Sequence, residues 1–96
     1  MIEPDELEAG DLLVHNREAF AVTEVFESKP GHWVAACREV NMTKFQSIAF
    51  SAIDPGGVVP GLGKQVSAYH AAVEKGDTAT AATLKAQLQG EKIRVR

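Results

Sequence analysis

The chain holds one cysteine, Cys37, so no disulfide can form within it. Aromatic residues are few, with one Trp, one Tyr and four Phe, and the core must be filled mainly by aliphatic side chains and alanine. No apolar run approaches the roughly 20 residues of a membrane-crossing helix. The opening Met1-Ile2-Glu3-Pro4-Asp5-Glu6 is acidic and lacks the basic start and apolar stretch of a secretory signal. Cytoplasmic residence without membrane contact is therefore expected. Ten Lys and Arg stand against 13 Asp and Glu, a net charge of −3, which argues against a protein held to nucleic acid mainly by phosphate neutralisation. The charge is unevenly placed. Glu3, Asp5, Glu6, Glu8 and Asp11 have no base among them, whereas Lys92, Arg94 and Arg96 crowd the other end.

What is present suits one globular domain over residues 1–96, with 45% hydrophobic and 24% charged residues. A chain this short buries only roughly 60–70% of its unfolded surface. From Leu12 to Ile53, short blocks rich in Val, Phe, Ile and Trp are broken by turn formers about every 12 residues, the pattern of a β-meander. The predicted strands are Leu12–His15, Ala19–Phe26, Trp33–Val40 and Phe45–Ile53. Alternation in the second puts Phe20, Val22 and Phe26 on an inward face with Glu24 among them, and Ala21, Thr23 and Val25 on the other. Lys29-Pro30-Gly31-His32 suits a type II turn, since Pro fixes φ at the second place and Gly accepts φ > 0 at the third. His15-Asn16-Arg17-Glu18 and Asn41-Met42-Thr43-Lys44 are further connectors, with Asn able to turn left-handed at low cost.

Past residue 60 the period changes. Leu62, Val66, Tyr69 and Val73 recur at helical spacing up to Gly76, a left-handed cap. Asp77 or Thr78 caps a second helix in which Ala81, Leu84 and Leu88 repeat the spacing and Gly90 is the stop. The expectation is an αα-hairpin over residues 62–90, laid with its apolar stripes on the sheet because isolated helices this short are marginal. Lys92-Ile93-Arg94-Val95-Arg96 alternates cleanly and reads as a terminal strand or arm over 91–96, able to close the sheet or to pair with a second copy.

The stretch Asp54-Pro55-Gly56-Gly57-Val58-Val59-Pro60-Gly61-Leu62-Gly63-Lys64 invites comparison with a phosphate loop. Its Gly63-Lys64 matches the end of the Walker pattern, but Val58 stands where the first Gly belongs, Gln65 where the hydroxyl belongs, and Pro60 removes an N–H from the cradle. Residues 55–63 therefore read as a loop joining a β-meander over 1–54 to the helices. His15, His32, His70 and Cys37 are the soft metal ligands available, and the odd separation of His32 from Cys37 sends them to opposite faces of a strand. Neither a metal nor a cofactor is expected. Cys37 reads as a small buried thiol. Glu24 interrupts an apolar alternation without a second acid or base beside it, so no catalytic residue is assigned.

Gly10-Asp11-Leu12-Leu13-Val14, followed by Ala19-Phe20-Ala21-Val22-Thr23-Glu24-Val25, resembles the opening strands of SH3-like small barrels, and Ile53-Asp54-Pro55 is similar to the end of such a barrel's last strand. The resemblance covers residues 10–55. It implies an α+β protein in which an antiparallel SH3-like meander or barrel is followed by the helical hairpin and a short C-terminal strand. Chains of this size and composition also look like small accessory proteins of bacteria or their phages. The expected function is a non-catalytic binding module with another protein as partner. Trp33 follows a tight turn, and its indole serves either as a ligand anchor near Arg17, Arg38 and Lys44 or as a core aromatic. Arg94 and Arg96 complete the expected contact set, and self-association through the terminal strand is a further expectation. Nucleic-acid binding through Arg17, Arg38, Lys44 and the basic tail is the alternative. A small enzyme or metal protein is a third.

Overall fold

A computed structural model describes residues 2–41 and 44–95. The strands are β1 (Leu12–His15), β2 (Glu18–Lys29), β3 (His32–Glu39), β4 (Phe45–Ala49) and β5 (Val58–Val59), followed by helices α1 (Gly63–Lys75) and α2 (Thr78–Gly90). All pairings are antiparallel and the order across the sheet is β4-β3-β2-β1-β5. The sheet is open, with β4 and β5 at its two edges. The meander and the helical hairpin thus stand, but barrel closure does not.

Local chemistry accounts for the turns. Asn16 and Arg17 both have positive φ, 51° and 66°, so β1 and β2 are joined by a two-residue turn whose hand matches strand twist. Gly31 sits at φ 79°, as the third place of a type II turn requires. The second strand is longer than its apolar pattern suggested and contains a bulge, because Val22 pairs with Cys37 while Glu24 pairs with Ala36. Thr23 is the extra residue, and its Oγ1 donates to the Ala36 carbonyl at 2.9 Å. A bulge reverses the alternation. Phe20 and Val22 stay on the inward face, but Val25 replaces Phe26 there, and Glu24 is exposed.

The sheet buries both faces. On one, Leu13, Phe20, Val22, Ala35, Cys37 and Ile48 meet Ile2 and Leu7 of the N-terminal segment and Phe50 and Ile53 after β4. On the other, Leu12, Ala21 and Val40 meet Leu62 and Val66 of the helical end, Leu88 of α2, and Ile93 and Val95 of the tail. Each of the Leu, Ile, Val and Phe side chains among them, once withdrawn from water, contributes about 1.5–3 kcal/mol of transfer free energy.

The predicted strand over residues 45–53 ends at Ala49, and a 3-10 turn at Phe50–Ala52 takes Phe50 into the core. Among the described residues the predicted terminal strand does not form. Ile93 and Val95 do face inward as their alternation implied, but they plug the helix-side core instead of joining the sheet. Asn41 Nδ2 donates to the Arg94 carbonyl at 2.8 Å and Gln89 Nε2 to the Val95 carbonyl at 3.2 Å, so side chains take the place of a ladder. Met42 and Thr43 of the expected Asn41–Lys44 connector lie outside the described residues. The hairpin buries its apolar side chains against the sheet mainly at its base. Leu62, Val66 and His70 are buried, while Val73 is 54% exposed and Leu88 is the one buried residue of α2.

Candidate functional site

The tip of the β2–β3 hairpin and the N-terminal segment enclose a cleft of about 200 Å³. Pro30-Gly31 reverses the chain and sets Trp33 at the start of β3, on the inward face with Ala35 and Cys37. The end of β4 brings Phe50 beside it, with ring centroids 6.4 Å apart and planes tilted by 46°. Such an aromatic pair adds about 0.5–1.5 kcal/mol beyond its buried area. Ile2 and Pro4 supply the facing wall, and Glu3 and Lys29 stand at the mouth. Trp33 is half-buried, so it is at once a member of the core's margin and a wall of the cleft. Among the described residues, its indole N–H has no hydrogen-bond partner, which leaves one donor facing the cleft or solvent.

The other expected contact residues are not gathered around Trp33. Arg38 lies five positions along β3, roughly 16 Å at strand rise, and on the opposite face. Its guanidinium bonds Glu74 of α1 at 3.0 Å and lies 5.8 Å from the centre of the Phe45 ring, so it ties the hairpin to the sheet. Arg17 and Arg94 are brought together at the far end, with Lys92, but Glu18 and Glu39 line the same cleft of about 450 Å³. Lys44 is exposed beside β4. Arg96 lies outside the described residues. Sequence reasoning missed Phe50, Ile2 and Pro4. The signal available for the last two was the pair Ile2 and Leu7 inside an acidic run, two apolar residues that a purely solvated tail does not need.

The glycine-rich stretch is committed to structure. Gly56 N–H donates to Asp54 Oδ1 at 2.9 Å, Gly57 N–H to the Asp54 carbonyl at 2.8 Å, Gly61 N–H to Asp11 Oδ1 at 3.0 Å, and Lys64 N–H to the Gly10 carbonyl at 3.1 Å. Donors that a phosphate would need are already used. Cys37 is fully buried, its thiol pushed up to about 11 by desolvation, so little thiolate exists at neutral pH. Among the described residues, no three of His, Cys, Asp and Glu form a metal-holding group. No helix among them is long and apolar enough to cross a membrane.

Comparison with known protein families, with curated proteins and with solved structures returns no match to this chain.

Proposed function

We propose that the protein is a non-catalytic binding module whose Trp33 cleft takes a single apolar side chain from a partner protein. The observation that carries this reading is the juxtaposition of Trp33, Phe50, Ile2 and Pro4 around a small open space. Its volume falls below the roughly 300–1,000 Å³ of small-molecule sites. A Pro, Leu or aromatic side chain is the occupant of matching size and polarity, and the free indole N–H can donate to the carbonyl of the inserted segment. Trp is among the residues in which the energetic centres of protein interfaces are enriched. The resemblance of residues 10–55 to SH3-like domains, which read extended peptides with aromatic grooves, points the same way. Nucleic-acid binding has less in its favour, since Glu74 engages Arg38 while Glu18 and Glu39 offset Arg17 and Arg94.

A random-peptide display library tests the proposal. Peptides selected on the wild-type protein should share one apolar or proline anchor, shift Trp33 fluorescence on binding, and lose at least tenfold in affinity against a folded Trp33→Ala variant. Selected peptides that bind Trp33→Ala equally well, or a library that yields none, would rule it out.

A further inference from the structure

The strand β4 is an outer strand of the sheet, and it carries none of the usual devices that blunt an edge: its sequence Phe45-Gln46-Ser47-Ile48-Ala49 has no charge and no Pro, and its pairing with β3 has no bulge. Only Ile48 is buried, and Phe45 is 63% exposed. The opposite edge, β5, is two residues long, too short to template a partner. The phase of the β4 ladder follows from one bond. Glu39 N–H donates to the Lys44 carbonyl at 3.2 Å, so alternate residues Lys44, Gln46 and Ile48 turn their backbone groups toward β3. Phe45, Ser47 and Ala49 turn theirs to the open edge.

We propose that two copies of this chain associate by antiparallel pairing of β4 with β4, about a two-fold axis through Ser47. In that register Ser47 faces Ser47 and Phe45 faces Ala49 of the second copy, all hydrogen-bonded pairs, so every outward N–H and C=O of the strand is used. Gln46 faces Ile48. Large residues meet smaller ones and no like charges oppose each other, which is the condition for a strand to pair with itself. The packing on the helix-bearing face agrees. Phe26 pairs with Val34 and Val34 with Ala49 across the strands, an apolar row that belongs to neither buried cluster. Phe45 of the second copy extends this row. Contact through one short strand falls below the roughly 1,200 Å² of stable interfaces, so the dimer is weak and concentration-dependent.

The proposal is independent of the Trp33 reading, and Trp33→Ala should leave it untouched. Sedimentation velocity up to about 1 mM should show a reversible monomer–dimer equilibrium. Ser47→Pro removes an outward N–H that makes no bond among the described residues, so it should leave the circular dichroism spectrum unchanged and weaken association more than tenfold. Ser47→Glu and Ser47→Lys each place like charges at the axis, and each should weaken association by about fivefold, while their equimolar mixture recovers it as a heterodimer. A wild-type protein that stays monomeric at about 1 mM overturns the proposal. So does a dimer whose constant is the same in folded Ser47→Pro, or a mixture no tighter than its components.

Discussion

The Asp11 carboxylate accepts from the Gly61 N–H at 3.0 Å across 50 residues of sequence, and this bond joins the first turn of the sheet to the loop that launches α1. Its other oxygen accepts from Glu8 N–H at 3.1 Å, and the side chain is buried. Gly10 and Asp11 also exchange backbone bonds with Val22. One short segment therefore fixes the N-terminal segment, the β1–β2 ladder and the start of the hairpin together.

Asp11→Ala would leave two backbone donors without their acceptor in a poorly hydrated place. The expected loss is about 2–3 kcal/mol, read as a lower urea midpoint with an unchanged slope. The Trp33 cleft should feel it too, since Ile2 and Pro4 hang from the same segment, and Trp33 fluorescence should shift toward that of exposed indole.

Gly61 and Gly63 look equivalent in the sequence but are not. Gly61 has φ 77° and open space around it, whereas a Cβ on Gly63 would overlap the Asp11 carbonyl oxygen. Gly61→Ala should cost about 1 kcal/mol through backbone strain alone. Gly63→Ala must push α1 off β1 and should cost about 3 kcal/mol. Thermal melts of the two variants side by side check the order, and a reversal would mean that α1 is not seated on Asp11.

Much of this was legible beforehand, for reasons visible in particular residues. Strand β1, the Pro30-Gly31 turn, the Gly76 cap and the Asp77 cap, whose carboxylate accepts from Thr80 N–H at 3.2 Å, are set by neighbours in sequence. What escaped depends on distant partners. The bulge at Thr23 lies in the pairing of β2 with β3, where Thr23 reaches the Ala36 carbonyl, so local alternation put Phe26 on the wrong face. Ile93 and Val95 kept their inward pattern, but the pattern does not distinguish a strand from a tail plugging a core beside Leu88. The separation of Trp33 from Arg17 and Arg94 is likewise a matter of which end of the sheet each turn occupies, and β5 is too short for any pattern to reveal.

The end of α2 offers a stabilising change. Ile93 N–H donates to the Leu88 carbonyl at 3.0 Å and Lys92 N–H to the Gln89 carbonyl at 2.9 Å, the bond pair of a Schellman cap, with Ile93 and Leu88 in contact within one cluster. The left-handed place is Lys92, φ 63°, two residues beyond the expected stop at Gly90. Lys92→Gly should relieve that conformation and raise stability by about 0.5–1 kcal/mol, or roughly 4 °C in Tm. A lower Tm would show that the Lys92 side chain contributes more than its backbone costs.

His70 should make stability fall as the solution is acidified. Its Nε2 lies 2.7 Å from the Val40 carbonyl, and because a carbonyl only accepts, Nε2 carries the proton and Nδ1 is bare. Nδ1 is buried without a partner, so a second proton would place an unpaired charge in the helix-side core. Desolvation holds the imidazole below its usual value of 6.5, with Arg38 acting in the same direction and the Val40 bond and Glu74 opposing. The unfolded chain then takes up the proton first as pH drops. The native state keeps its full margin above 6.5 and loses it progressively below, until the folded-state value is reached. Loss of the Asp77 cap belongs to a separate window below 3.8. His70→Gln keeps an N–H for Val40 and removes the titration. Between about pH 7 and pH 5, the urea midpoint of the wild type should fall while that of His70→Gln changes less. Parallel midpoints would assign the acid sensitivity to other groups.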